Sequence, residues 1–107
     1  MKFTSFLQNN HLTVALTGEI DHHCAKEYIC AITAKMEAYM PQICILDFGE
    51  VTFMDSSGIA VIINAMRYMI RINGKLKLCG LKKQPLKVLR AAGIDKLIEI
   101  EEVCHEI

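Results

Sequence analysis

Apolar positions along the 107-residue chain fall into segments of two different periods. Lys2 to Gln8 and Leu12 to Thr17 read as short strands around Asn9-Asn10, residues that tolerate the positive φ of a tight hairpin turn. From His22 to Met40, positions Ala25, Ile29, Ile32, Met36 and Met40 recur at helical spacing, which predicts one helix capped by Asp21 and stopped near Pro41. Ile43 to Phe48 is an apolar run with one carboxylate, Asp47, as expected of a strand buried on both faces of a mostly parallel sheet. Phe53-Met54-Asp55-Ser56-Ser57-Gly58 then turns the chain. A second helix follows, with Ile59, Ile62, Ile63, Met66, Met69 and Ile70 on its apolar stripe and Asn73-Gly74 at its end. Lys75 to Gly80 alternates like a strand, Pro85 to Ala92 predicts a short helix ended by Gly93, and Leu97 to Ile100 predicts a last strand. Strands that alternate with helices need crossover connections. The expected fold class is therefore α/β, a mixed, mostly parallel sheet with an N-terminal edge hairpin and helices packed on it.

The length suits one compact domain spanning residues 1–107. Apolar residues make up 52% and charged residues 22%, enough apolar surface to offset chain entropy, so a packed globule is expected. Twelve Lys plus Arg balance twelve Asp plus Glu, leaving no positive excess to gather nucleic acid or anionic lipid. The longest apolar run, Ile59 to Ala65, contains Asn64 and falls well short of the roughly 20 residues needed to span a bilayer. With no secretory signal at the start, a cytoplasmic location is expected. Five cysteines, at 24, 30, 44, 79 and 104, form an odd set without a C-x-x-C pair, which points to reduced, mostly buried thiols.

Candidate chemistry centres on Asp55-Ser56-Ser57-Gly58, between a strand and the first turn of an apolar helix. The first amides of a helix lack internal partners and carry the positive end of its dipole, so a hydroxyl there is well placed to receive phosphate. Phosphate on Ser57 would add roughly 1.5 to 2 negative charges beside Asp55, enough to turn away a fitted partner. The plainer reading is that Asp55 or Ser56 caps the helix and nothing more.

Two separated motifs carry a family resemblance. Phe53-Met54-Asp55-Ser56-Ser57-Gly58-Ile59-Ala60-Val61-Ile62 resembles the phosphorylation loop of the STAS-domain anti-sigma factor antagonists, and Thr17-Gly18-Glu19-Ile20-Asp21-His22-His23 resembles their other signature. Within that family the resemblance is to the sporulation anti-anti-sigma factors, and it spans about Leu12 to Ile100. It implies a STAS-like single domain that controls transcription without being an enzyme. The unphosphorylated form would bind an anti-sigma factor that is also a serine kinase, releasing a sigma factor. Phosphorylation of Ser57 would end the interaction, and a serine phosphatase would reset it. It further implies that the loop holding Glu19, Asp21 and His22 lies beside the start of the second helix, forming one partner-facing surface with Asp55, Ser56 and Gly58. Asp21 and Asp55 would serve kinase recognition. The final helix that relatives often carry would be short or absent here.

Other chemistry finds less support. His22-His23-Cys24 lacks the i, i+4 spacing that makes helical ligands converge, so no metal is expected. No nucleotide-binding glycine run and no G-x-S-x-G elbow occurs, and no cofactor is expected. The kinase activity then belongs to the partner. Two alternatives stay open: a STAS scaffold domain in a larger signalling assembly, and a small enzyme using Ser57 as nucleophile with one of the four histidines. Lys82, Lys83, Lys87 and Arg90 read as a solvated face.

Overall fold

A computed structural model describes residues 2–102. Five strands form one mixed sheet in the order β1 (Lys2–Gln8), β2 (His11–Ile20), β3 (Ile43–Met54), β4 (Lys75–Cys79) and β5 (Glu99–Glu101). The first pair is antiparallel, from Lys2 opposite Thr17 to Gln8 opposite His11; the remaining pairs are parallel. Asn9 and Asn10 both take positive φ, 52° and 66°, the pattern of a two-residue hairpin turn whose twist matches the strands it joins. The connections are α1 (Ala25–Tyr39), α2 (Ser56–Arg71) and α3 (Lys83–Ala91), the last followed by a 3-10 turn at Ile94–Lys96.

The core lies between sheet and helices. Leu12, Val14 and Leu16 alternate inward on β2, Leu46 and Phe48 on β3, and Leu76 and Leu78 on β4, against Tyr28, Ile32 and Met36 of α1 and Val61, Ile62 and Met69 of α2. At roughly 1.5–3 kcal/mol for each fully buried large apolar side chain, this set is the dominant favourable contribution to folding.

Several boundaries differ from the sequence reading. The first helix starts at Ala25, not His22, because residues 22–24 form a turn. Asp21 caps that turn, its carboxylate accepting from the His23 amide at 3.0 Å, and makes no side-chain cap to the helix proper. The helix closes with Met40 in left-handed geometry, its amide donating to the Met36 carbonyl, just before Pro41.

The strand expected over Ile43 to Phe48 continues to Met54. Its polar second half is held by pairing with β2 on one side. β3 spends 12 residues against 10 of β2, and two irregularities absorb the difference, one between Ala15 and Thr17, the other between Gly18 and Glu19. At the first, the Asp47 carboxylate accepts from the Gly49 amide at 2.8 Å; at the second, the Thr52 hydroxyl donates to the Gly18 carbonyl at 3.5 Å.

The face of α2 that meets the sheet also shifts. Gly58, Val61, Ile62, Ala65 and Met69 are buried; Ile59, Ile63 and Met66 are only partly so, and Ile70 is 63% exposed. Small residues line the face because the helix lies close to the sheet there. The last strand begins at Glu99 rather than Leu97. Ile94 and Ile98 are buried at helical spacing while Leu97 is 65% exposed, which suits a tight helical turn and not an extended strand. The expectation of a short or absent final helix lies outside the described residues.

Cysteines depart from expectation. Cys44 is a buried free thiol, but Cys24 is half-buried and Cys30 exposed, and Cys79 is disulfide-bonded rather than reduced. No helix among the described residues is long and apolar enough to cross a membrane. Lys82, Lys83, Lys87 and Arg90 are all exposed.

Candidate functional site

Both sequence motifs end up at the C-terminal ends of two adjacent parallel strands. Glu19 pairs with Phe53 and Ile20 with Met54, and beyond the last pair the Asp55 amide donates to the Ile20 carbonyl at 3.2 Å. The two loops therefore leave the sheet side by side, the loop holding Glu19, Asp21 and His22 next to the start of α2.

Asp55 is the N-cap of α2. Its backbone is extended, with φ −105° and ψ −168°, and its carboxylate accepts from the Ser57 amide at 2.8 Å. The Gly58 amide donates to the Asp55 carbonyl at 3.0 Å, closing the first turn. The capping role is thus real and belongs to Asp55, not Ser56. Ser56 is exposed and Ser57 half-buried, both within the first turn at the positive end of the helix. Gly58 is buried where a Cβ would overlap the Met54 side chain and approach the Ile20 methyl. Only glycine lets the helix come this close to the ends of both strands.

The β2–α1 side is held by its own contacts. Gly18, at φ +91°, takes a conformation that other residues rarely adopt. The Tyr28 hydroxyl donates to the Thr17 carbonyl at 2.8 Å, tying α1 to the strand just before it. Cys24 donates from its thiol to the Glu19 carbonyl at 3.2 Å and reaches the Asp21 carboxylate at 3.5 Å, so this cysteine staples the loop while packing against the edge of the core. Partial burial alone would push the Asp21 carboxyl up, but the His23 amide and the Cys24 thiol and amide outweigh it and hold it below its usual 3.8. Glu19 is exposed. His22 is exposed and faces His23, ring centroids 3.9 Å apart, in the turn and not on a helix. Among the described residues no group of three or more His, Cys, Asp or Glu side chains could hold a metal ion.

One contributor escaped the sequence reading. Gln84, in the first turn of α3, receives the Met54 amide on its Oε1 at 2.8 Å and donates from Nε2 to the Met54 carbonyl at 2.9 Å. β4 pairs with β3 only as far as Asp47, so the far edge of β3 is bare beyond that point, and this carboxamide takes the place of a neighbouring strand. Nothing in the local pattern Lys83-Gln84-Pro85 announces a partner 30 residues away. Phe53, next to Met54, leaves its ring 40% exposed at the rim of the site.

Comparison with known proteins gives a consistent picture. A family model described as STAS domain matches residues 6–107. The anti-sigma-B factor antagonist of Listeria monocytogenes is 27% identical over 101 residues, covering 92% of this chain and 85% of that protein. The anti-sigma F factor antagonist of Paenibacillus polymyxa is 26% identical over 89 residues, covering 83% and 76%. Among solved structures, the Bacillus cell fate determinant SpoIIAA in its phosphorylated form superposes with a TM-score of 0.71 at 23% identity, covering 92% of this chain and 90% of that one.

Proposed function

The chain belongs to the STAS domain family, and on that premise we propose that it is an anti-sigma factor antagonist whose docking is switched off by phosphate on Ser57. The unphosphorylated form binds an anti-sigma factor with serine kinase activity and so releases a sigma factor; a serine phosphatase restores it. The chain acts as a regulator and substrate, not as an enzyme, within the cytoplasm.

The observation that carries this reading is the junction of Asp55 with Ile20 and Ser57. It sets half-buried Ser57, at the helix start, beside the loop bearing Glu19, Asp21 and His22, and these residues are the surface we assign to the partner. The Asp55 carboxylate already occupies the Ser57 amide, one of the free amides at the start of α2. A phosphate on Ser57 therefore arrives next to a fixed negative charge and cannot be absorbed by the same donor. Asp21 and Asp55 offer the kinase two carboxylates as recognition points. A hundredfold drop in affinity requires about 2.7 kcal/mol, within reach of one badly placed dianion in a desolvated contact. Relatives named for the same activity support the reading, as does a protein of this fold known in a phosphorylated form. A nucleophilic enzyme would need a base on Ser57, and no histidine among the described residues is hydrogen-bonded to it.

The test is intact-mass measurement after incubation with ATP and a purified anti-sigma factor kinase. One phosphate is expected on the wild-type chain and none on Ser57→Ala, which should still bind the kinase. A phosphate that persists in Ser57→Ala, or docking indifferent to modification, would overturn the proposal.

A further inference from the structure

Gln84 stands outside both motifs, yet it touches Met54, the residue just before the cap Asp55. Met54 is the last residue of β3 and precedes the cap Asp55. In an extended strand, neighbouring residues send their amide and carbonyl groups to opposite sides. Here the Asp55 amide goes to Ile20 on β2, while both polar groups of Met54 go to the Gln84 carboxamide on α3. The approach to Ser57 is therefore gripped from two sides by different elements. Met54 then passes this constraint on, because its fully buried side chain lies against the Cα face of Gly58, the residue after Ser57.

From this chain of contacts we propose that Gln84 is a positioning residue for the Ser57 switch. Its carboxamide sets the backbone of Met54, Met54 sets the first turn of α2, and the geometry in which Ser57 is presented to a kinase depends on α3 as well as on the two motifs. The carboxamide is suited to the task because it offers one acceptor and one donor in a plane, matching the amide and carbonyl of a single strand residue. The inference rests on Ser57 being the modified residue.

Two variants test it. Gln84→Met keeps the length and removes both hydrogen bonds; Gln84→Glu keeps an acceptor for the Met54 amide and loses the donor to its carbonyl. Amide hydrogen exchange by NMR should accelerate roughly tenfold at Met54 in Gln84→Met, with Leu46 and Leu78 in the sheet interior unchanged. In Gln84→Glu, the Met54 amide should stay closer to wild type. With a kinase that modifies the wild-type chain, and at a temperature where all variants are fully folded, Gln84→Met should lower kcat/KM for Ser57 phosphorylation about tenfold. Acceleration spread evenly over the sheet would mean general loosening and would overturn the proposal. So would a phosphorylation rate within twofold of wild type despite faster exchange at Met54. If no phosphate appears on the wild-type chain, the Ser57 reading fails, and the local or uniform pattern of exchange still decides whether Gln84 positions the loop.

Discussion

The Asp55 amide donates to the Ile20 carbonyl at 3.2 Å, so the residue that caps α2 is also the one that fastens the end of β3 to the end of β2. The cap and the clamp use different atoms of Asp55, and substitution separates them. Asp55→Ala keeps the backbone bond but leaves the Ser57 amide without its acceptor, which should lower the unfolding free energy by about 1 kcal/mol. Asp55→Asn keeps an acceptor oxygen and should lose much less. Urea unfolding checks both; equal losses would show that the charge, and not the cap, carries the effect.

Gly58 poses a conflict between helix propensity and packing. Alanine is preferred to glycine in a helix by about 1 kcal/mol, whereas forcing extra volume into a packed core costs roughly 1–3 kcal/mol. A Cβ here would overlap the Met54 side chain, so packing should win. Thermal unfolding of Gly58→Ala should show a lower Tm, and the drop it causes should shrink when it is introduced into a Met54→Ala background. An unchanged or higher Tm in the single variant would mean that the helix can back away at no cost.

Cys44 is buried in the sheet, and burial pushes its thiol from 9.0 up to about 12. The folded state thus holds the proton more tightly than the unfolded chain. Its contribution is fully present below pH 9 and is lost as pH rises from 9 towards 12, by an amount on the order of 4 kcal/mol. Cys44→Ala should be less stable at neutral pH, because it leaves a cavity, yet lose less on going from pH 9 to pH 12. The comparison is made by urea unfolding at matched pH. The same alkaline slope in both proteins would refute the assignment.

Asp21 has the opposite sign. Its carboxyl is held below 3.8 in the fold, chiefly by the His23 amide and the Cys24 thiol acting against partial burial. The stabilisation is present above the unfolded value and fades as pH falls through the lower folded one. The His23 amide resonance should titrate with a midpoint below 3.8, and Asp21→Asn should flatten the acid limb of the stability curve. A midpoint at or above 3.8 would show that the turn does not hold the charged form.

Much of the architecture was legible from local pattern. Asn9-Asn10 announced the hairpin, because few residues accept two successive positive φ values. The apolar stripe marked α2 and left its cap to Asp55 or Ser56, and the alternation of strands with helices implied a parallel sheet. Where the pattern misled, the deciding partner was distant in sequence. Gly49, Glu50 and Thr52 do not read as strand, yet Glu50 pairs with Thr17 of β2, and Gly49 and Thr52 are the extra residues at the two irregularities. Ile70 reads as core by spacing and ends up exposed, since the small residues Gly58 and Ala65 set which side of α2 meets the sheet.

What the sequence determined by itself is the set of elements, their order, and the two loops that carry candidate chemistry, because periodicity, turn residues and caps act within a few positions of the chain. The tertiary structure alone decided how far β3 runs, that Asp55 closes on Ile20, and that Gln84 reaches Met54. Those last two contacts join residues 35 and 30 positions apart, and a hydrogen bond between a glutamine and a distant backbone leaves no trace in the residues adjoining either one.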